Sequence, residues 1–190
     1  MILNGERSLT VGFHNVNTLN DDKLRHIAWS IMHHKIDLFH ATDCRLTERS
    51  MTLAVTMIKS LLGIEVLVSY GAVSRPGEVG GYLSIIRGSL RSALCNKHVD
   101  ATGLGISVEY TFQMSEGRLT VMGCYWPARS PHLGGSLWSQ VKRGLQTKGI
   151  RLNPMSYIKQ MISDRIIKLT SKGHRVILGG DLNHEPRGRG

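Results

Sequence analysis

The chain has 190 residues, of which 41% are hydrophobic and 20% charged. That length suits a single folded domain, and this composition excludes an intrinsically disordered chain. No run of about 18 apolar residues occurs, so the sequence predicts no membrane span. The formal net charge of +10 is the strongest compositional feature, because a basic surface attracts polyanions and nucleic acid is the leading class of partner. The alternative is a generally solvated basic surface, since Lys and Arg are scattered along the chain.

The N-terminus and the cysteines both bear on the compartment. Residues 1–7 lack the apolar core of a signal peptide and the Arg- and Ser-rich, acid-poor composition of a transit peptide. Cys44, Cys95 and Cys124 form no Cys-x-x-Cys pair, which argues against zinc and predicts reduced, buried thiols. We therefore expect an intracellular protein that is not secreted.

The first part of the chain alternates predicted strands with predicted helices, which is the α/β pattern. Strands are expected at residues 9–15, 36–41 and 64–68. Asn20 caps the first predicted helix, whose apolar residues follow helical spacing: Leu24, Ile27, Ala28 and Ile31. The second helix, at residues 50–62, is expected to turn four residues inward: Leu53, Met57, Ile58 and Leu61.

The pattern changes after residue 70. Residues 70–80 are predicted to form a loop, and three strands at 81–87, 105–110 and 119–124 follow with no helix between them, as in antiparallel neighbours. A mixed sheet or two packed sheets explains this order better than a doubly wound parallel sheet. Residues 128–153 form a long connection with a short helix near 137–141.

The last predicted helix opens at Pro154 and closes at Gly173. One face of it is apolar: Ile158, Met161, Ile162, Ile166 and Leu169. A final strand starts near Arg175, and residues 186–190 are expected to fray.

Polar side chains stand where four predicted strands end. These are Asn15 and Asn17, Asp43, Tyr125 just before Pro127, and Asp181 and Asn183 after a Gly-Gly pair. Along an extended segment, Asp181 and Asn183 point the same way and Leu182 points inward. Alternatively, the Asn and Asp residues bond local backbone in turns. Tyr125 equally suits a core ring with its hydroxyl in water.

Five short stretches, in order, carry a resemblance to a known group of enzymes. They are Asn15-Val-Asn17-Thr-Leu19, Asp43-Cys-Arg-Leu-Thr47, Gly80-Gly-Tyr-Leu-Ser-Ile-Ile86, Tyr125-Trp-Pro127 and Gly180-Asp-Leu-Asn183. The set resembles the endonuclease/exonuclease/phosphatase superfamily, and most closely the endonuclease domains of non-LTR retrotransposons and their apurinic/apyrimidinic endonuclease relatives. The resemblance spans residues 9–183, apart from the connection at 128–153. It implies a four-layered α/β sandwich, with two packed mixed sheets flanked by helices, and Mg²⁺-dependent cleavage of phosphodiesters in DNA.

The resemblance also implies a role for each matching residue. Asn15 would orient the catalytic groups, and Asp43 would take the position of the metal-binding glutamate. Asp181 would align or deprotonate the attacking water. Carboxylate oxygens suit a hard cation, with Mg²⁺ expected and Mn²⁺ as an alternative.

The remaining matching residues are expected to contact the substrate. Tyr125 would lie against the scissile phosphate, and Asn183 would bond the phosphate or an intermediate. Asn17 and Arg45, beside the catalytic groups, are predicted to contact the nucleic acid.

The chain departs from the superfamily's pattern in two ways. Asp43 replaces a glutamate, so its carboxylate reaches one methylene less far, and Mg²⁺ demands near-ideal geometry. The superfamily's Ser-Asp-His motif belongs well after Asn183, and His184 follows too directly to replace it. The other histidines match no such motif and suit core or solvated positions: His14, His26, His33, His34, His40, His98, His132 and His174.

These departures set the functional expectation. Residues 1–190 are expected to form a single domain of this type that lacks the C-terminal portion and leaves apolar edges uncovered. It would be a DNA-directed hydrolase with weak or no activity alone. The alternative is a catalytically silent nucleic-acid-binding fragment, and a phospholipid or inositol phosphate substrate ranks third. A retroelement origin would place the chain in the nucleus, within a longer polyprotein containing a reverse transcriptase.

Overall fold

A computed structural model of the chain describes residues 8–100, 105–127 and 136–183. These residues form five helices and eight strands. In chain order they are β1 Val11–Asn15, α1 Asp21–His33, β2 Leu38–Thr42, α2 Glu48–Leu62, β3 Leu67–Gly71, β4 Tyr82–Ile86, α3 Gly88–Ala93, β5 Leu94–Val99, β6 Ser107–Met114, β7 Gly117–Tyr125, α4 Leu137–Thr147, α5 Pro154–Thr170 and β8 Arg175–Asp181.

The strands form two mixed sheets of four strands each. The first sheet has the order β1-β2-β4-β3, with β1 and β2 parallel and β4 antiparallel to both of its neighbours. The second has the order β5-β6-β7-β8, in which only β7 and β8 run parallel. Helices α1 and α2 pack on the first sheet, and α4 and α5 pack on the second. The predicted four-layered α/β sandwich is confirmed.

Two helices follow the predicted pattern closely. Asn20 caps α1 by accepting a hydrogen bond from the Lys23 backbone N–H at 2.9 Å, and the four predicted apolar residues are buried. Asn153 caps α5 in the same way, and Gly173 follows its end with a φ of 77° that glycine adopts without strain.

The two sheets pack face to face through apolar side chains. The buried residues between them are Leu38, Tyr82, Ile86, Leu90, Val108, Tyr110, Phe112, Leu119 and Val121. At Gly123 there is no room for a side chain, because the His40 ring from the other sheet occupies the space where a Cβ would stand. The ends of β2 and β7 are therefore held close together.

The predicted orientation of α2 was wrong in part. Its buried face is Met51, Ala54 and Ile58, whereas Leu53 is 66% exposed and Leu61 is 37% exposed. Apolar residues lie on more than one face of this helix, so periodicity alone does not choose between them. The small Ala54 faces the core, where α2 packs against α1.

Several strand predictions also needed correction. The strand expected at 64–68 is β3 at Leu67–Gly71, and Ile64 is 83% exposed. The elements α3 and β5 were not predicted, because most of β5 is exposed and lacks apolar alternation. Strand β4 does not neighbour β6, since the two lie in different sheets. Cys44 and Cys124 are buried, but Cys95 is exposed.

Some predictions fall outside the described residues. They concern residues 128–135 of the long connection, which include His132, and also His184 and residues 186–190. The described part of that connection contains α4, which is longer than the predicted turn of helix. Among the described helices, none has the length and apolar character needed to cross a membrane.

Candidate active site

The predicted site residues lie where strands of both sheets end at the same edge of the sandwich. Asn15 pairs in register with Thr42, the residue before Asp43, and Tyr125 pairs in register with Asp181. A hydrogen bond joins the two sheets here, because Asn15 Nδ2 donates to Asp181 Oδ2 at 2.6 Å. Residues that are 166 positions apart in the chain thus form one rim.

The Gly179-Gly180 pair makes this junction possible. A Cβ at Gly179 would collide with the Phe13 ring, so glycine lets β1 approach β8 closely. Gly180 has a φ of 130°, and a Cβ there would collide with the Cys124 carbonyl. Only glycine satisfies both demands, and the pair therefore fixes where the Asp181 carboxylate stands.

Asp43 is the most buried carboxylate of the rim, with 1% of its surface exposed. Arg45 binds it with two donors, from Nε to Oδ1 at 3.0 Å and from the terminal guanidinium nitrogen to Oδ2 at 2.7 Å. The Gly80 backbone N–H also donates to Oδ1 at 3.0 Å. The charge of Asp43 is balanced by its own chain, in a bidentate geometry that only arginine provides.

Tyr125 stands beside this ion pair and is 7% exposed. Burial raises the pKa of its phenol well above the ordinary value, and the Asp43 and Asp181 carboxylates raise it further while Arg45 opposes them. The phenol is therefore a neutral hydrogen-bond donor near neutral pH. Both carboxylates are near enough to the phenol to affect its pKa.

The loop after β1 is held by a lysine that the sequence did not single out. Lys23 Nζ donates to the carbonyl oxygens of Val16 at 2.6 Å, Asn17 at 3.0 Å and Thr18 at 2.9 Å. Asn17 itself is exposed at the rim, and its N–H donates to Asn15 Oδ1 at 3.0 Å. No signal in the sequence reveals this clamp, because it depends on three carbonyls converging in space.

Asp181 and Asn183 differ in what they can offer a substrate. Strand β8 ends at Asp181 and Asn183 has a φ of 38°, so the predicted strand alternation does not extend through the pair. The Asn183 backbone N–H donates to Asp181 Oδ1 at 3.1 Å, and its side-chain amide nitrogen donates to the Trp126 carbonyl at 2.5 Å. The Asn183 side chain thus holds the backbone at Trp126, directly after Tyr125. Asp181 is only partly buried and faces the rim.

Backbone strain is concentrated in these loops. Six described residues other than glycine have a positive φ, and five of them lie in the three loops of the rim: Asn17, Thr18, Asp43, Arg45 and Asn183. Such conformations cost about 1–3 kcal/mol each and cluster at functional sites. The clustering supports a binding or catalytic role for this edge.

The donor atoms of the rim fit a small hard cation. Mg²⁺ is commonly held by one or two carboxylates together with water, so it does not require a dense acidic cage. The described residues contain no group of three or more His, Cys, Asp or Glu side chains arranged for a metal. The carboxylates of this rim are Asp43 and Asp181, and its amides are those of Asn15, Asn17 and Asn183. A cation bound there would have to share Asp43 with Arg45.

Comparison with known proteins gives matches among solved structures alone. Neither models of protein families nor curated proteins match this sequence. Truncated Caenorhabditis elegans TDP2 aligns over 93% of this chain, with a TM-score of 0.59 and 11% identity. A 3′ phosphatase from Neisseria, NExo, bound to a product DNA hairpin, aligns over 95% with a TM-score of 0.59 and 14% identity. An AP endonuclease from Archaeoglobus fulgidus aligns over 95% with a TM-score of 0.54 and 13% identity.

The chain has the endonuclease/exonuclease/phosphatase fold. At such low identities the likeness is one of fold, so the endonuclease/exonuclease/phosphatase fold does not by itself assign an activity. The chain spans 63%, 60% and 60% of the lengths of these three structures, in the same order.

Proposed function

We propose that this rim binds a phosphodiester of DNA and hydrolyses it in a Mg²⁺-dependent reaction, with weak or no activity in residues 1–190 alone. The observation that carries the proposal is the hydrogen bond between Asn15 and Asp181, which holds a partly exposed carboxylate beside Tyr125 and the Asp43–Arg45 pair. A carboxylate base next to cationic and neutral donors matches what phosphodiester hydrolysis needs.

Each side chain has a part in the proposed reaction. Asp181 accepts a proton from the attacking water, and Asn15 keeps its carboxylate in place. Tyr125 donates a hydrogen bond to a phosphate oxygen from a phenol that stays neutral. Asp43 would hold Mg²⁺, which when bound offsets the negative charge that develops on the phosphate.

The choice of substrate rests on charge and on the compared structures. The net charge is +10, which favours a polyanion over a small neutral substrate. Two of the similar structures contain bound DNA, a product hairpin in NExo and a single-strand product in D. rerio TDP2. We therefore propose DNA as the substrate of the present chain as well. A phospholipid or inositol phosphate remains the third-ranked substrate.

The wider setting is also a proposal. The resemblance to retrotransposon endonucleases suggests that the domain acts in the nucleus as part of a longer polyprotein with a reverse transcriptase. We expect the activity of residues 1–190 to be low because they contain no Ser-Asp-His motif. One missing transition-state donor typically lowers the rate by about 10² to 10³.

The test is nicking of supercoiled plasmid by the purified chain with Mg²⁺. Asp181→Asn should lower any nicking by about 10² or more, the usual contribution of a general base. The matched control is Asp164→Asn, an exposed carboxylate on α5 that should have no effect. Nicking that survives Asp181→Asn would reject the assignment of the base.

One observation favours a silent nucleic-acid-binding fragment as the second candidate. Both oxygens of Asp43 already accept hydrogen bonds from Arg45, which lowers the attraction of this carboxylate for a cation. This candidate predicts DNA binding that falls steeply with salt and ignores Mg²⁺, with no nicking under any condition. Binding that rises with Mg²⁺ would contradict it.

A further inference from the structure

One long segment of this chain contains basic residues but no acidic ones. Between Glu116 and Asp164 the sequence contains seven Lys or Arg residues and no Asp or Glu, although the whole chain contains 14 acidic residues. Five of the seven lie in α4, in the first half of α5 or in the connection between these helices: Lys142, Arg143, Lys148, Arg151 and Lys159. All five are exposed. The segment therefore presents positive charge with no carboxylate of its own to balance it.

The fold turns this segment into a cleft. Leu137, Val141 and Leu145 form the buried face of α4 and join the core around Ile158 and Ile162 of α5. The chain between the two helices leaves α4 through Gly149, whose φ is 69°. Between α4, this connection and the start of α5 lies a cleft of about 620 Å³.

The cleft combines aromatic, cationic, amide and apolar groups. An aromatic ring, Trp138, stands on its wall, and two cations, Lys142 and Arg151, line it. Amide groups come from Gln146 and Asn153, and apolar surface includes Leu152, which is 45% exposed. The α5 N-terminus, the positive end of the helix dipole, also borders the cleft.

We propose that this cleft binds a single-stranded segment of nucleic acid. Single-strand sites combine cations that follow the phosphates with aromatic rings on which bases stack, and the cleft offers both. A base must leave its duplex to reach a ring inside a concave site, which favours a single strand. Lys142 and Arg151 would pair with phosphates, and Trp138 would stack on a base.

The cleft is joined to the candidate active site through α4. Gln140, on the flank of α4 away from Trp138, donates to the Val79 carbonyl at 3.0 Å, and the next residue, Gly80, donates to Asp43. A strand held in the cleft would thus lie on the element that borders the rim. The proposal rests on the proposed function only for the identity of the polymer, and it requires no hydrolysis.

The experiment measures binding without cleavage. A fluorescein-labelled oligothymidylate of about 16 nucleotides, the upper end of the site sizes known for one single-strand-binding domain, is titrated with the full chain in EDTA and followed by anisotropy over a range of salt. Lys142→Ala with Arg151→Ala should lower the slope of log affinity against log salt by about 1.4, since each single-strand phosphate contact contributes about 0.7. Trp138→Ala should weaken binding by about 5- to 150-fold, the range for loss of one stacked base.

Matched controls lie on the other helix layer. Arg25→Ala with Lys59→Ala removes the same two charges from exposed positions on α1 and α2, and Trp29→Ala removes a ring that is 54% exposed on α1. These variants should change the slope and the affinity much less. Circular dichroism and thermal unfolding identify any variant that fails to fold, and Trp138→Phe, which keeps a ring, should retain most of the binding.

Three outcomes would overturn the proposal. Equal losses in the cleft variants and the control variants would show that binding reflects diffuse surface charge. Binding of a duplex of the same length that is as sensitive to Trp138→Ala would exclude a single-strand site. Equal competition by polyglutamate at matched charge would assign the cleft to acidic polymers in general. Plasmid nicking is measured separately, so failure of the hydrolase proposal leaves this result interpretable.

Discussion

Strands β2 and β8 each place one carboxylate at the same rim, but the two strands differ in how deeply they are buried. Every residue of β2 is buried between two neighbouring strands, whereas β8 lies at the edge of its sheet in the described residues and no residue of it is fully buried. Asp43, after β2, is held by Arg45 and a backbone N–H. Asp181, at the end of β8, accepts from Asn15 and the Asn183 N–H, which are neutral groups.

This difference separates two chemical tasks. A carboxylate paired with a guanidinium has its charge balanced and its position fixed, so it suits structure or cation binding. A partly exposed carboxylate whose partners are neutral has no cation paired with it and can reach water, which suits proton transfer. The edge strand thus carries the group proposed to react, and the central strand carries the group that organises the rim.

Gly180→Ala should cause the largest loss of stability, because it disrupts the close packing that positions Asp181. A Cβ would collide with the Cys124 carbonyl in a backbone conformation that alanine rarely adopts. We expect a loss of about 4 kcal/mol in the free energy of unfolding, near the upper end for single substitutions. Urea denaturation measures it. Gly149 has a φ of 69°, in the ordinary left-handed region, and open space around it, so Gly149→Ala should cost only about 1 kcal/mol.

His40 tests the buried side of the comparison through pH. Burial lowers the pKa of its imidazole from 6.5 to about 4, and its Nδ1 lies 2.7 Å from Ser84 Oγ. The unfolded chain therefore binds a proton at a higher pH than the folded chain does. The stability that the folded protein gains by keeping His40 neutral is fully present above pH 6.5 and is lost as pH falls to about 4.

The loss over that window should be about 3 kcal/mol, since one pKa unit corresponds to about 1.4 kcal/mol. Unfolding midpoints at several pH values measure it. His40→Gln should flatten the profile between pH 6.5 and 4. His14→Gln, at an exposed position on β1, should leave the profile steep. An unchanged slope in the His40 variant would exclude this histidine as the cause.

The same contrast explains how much of the fold could be predicted. The buried face of α1 was predicted well because four of its apolar residues recur at helical spacing and Asn20 supplies a clear cap. The buried face of α2 was predicted wrongly because both Leu53 and Ala54 are apolar and could face the core. Only the contact with α1 favours the smaller residue. Strand β5 was missed because its apolar residues do not alternate, as its outer position in the sheet permits.

The rim was predicted less evenly. Strand ends pointed to Asn15, Asp43, Tyr125 and Asp181, because parallel strands in one sheet finish at the same edge. The Asn15–Asp181 bond links residues from different sheets, and no local pattern encodes it. The Arg45 pairing depends on two left-handed residues at spacing two, Asp43 and Arg45, which sequence periodicity does not describe.

Asp43→Asn should cost more stability than Asp181→Asn. The change leaves Arg45 without a charged partner and weakens the bond from the Gly80 N–H, at a position that is 1% exposed. We expect a loss of about 2 kcal/mol, less than for a fully buried pair because the Arg45 side chain is 30% exposed and can turn to water. Asp181→Asn should cost about 1 kcal/mol, the typical net worth of the one hydrogen bond that an amide can no longer accept from Asn15 or the Asn183 N–H. Urea denaturation of both variants decides it, and equal losses would remove the distinction between the two carboxylates.

Arg45→Met should give a smaller free-energy change than Asp43→Asn, in this case a change in metal affinity. It tests whether Arg45 and a cation compete for Asp43. Removing the guanidinium frees Oδ2 and leaves Oδ1 with the Gly80 N–H alone, so Mg²⁺ or Mn²⁺ should bind about tenfold more tightly, or about 1.4 kcal/mol. Isothermal titration calorimetry measures this directly. Arg49→Met removes the same charge from an exposed position at the start of α2 and should change metal affinity little. If Arg45→Met with Asp43→Asn binds metal as tightly as Arg45→Met alone, Asp43 is not the ligand. The metal dependence proposed for this rim would then need another carboxylate, and Asp181 would be the first to test.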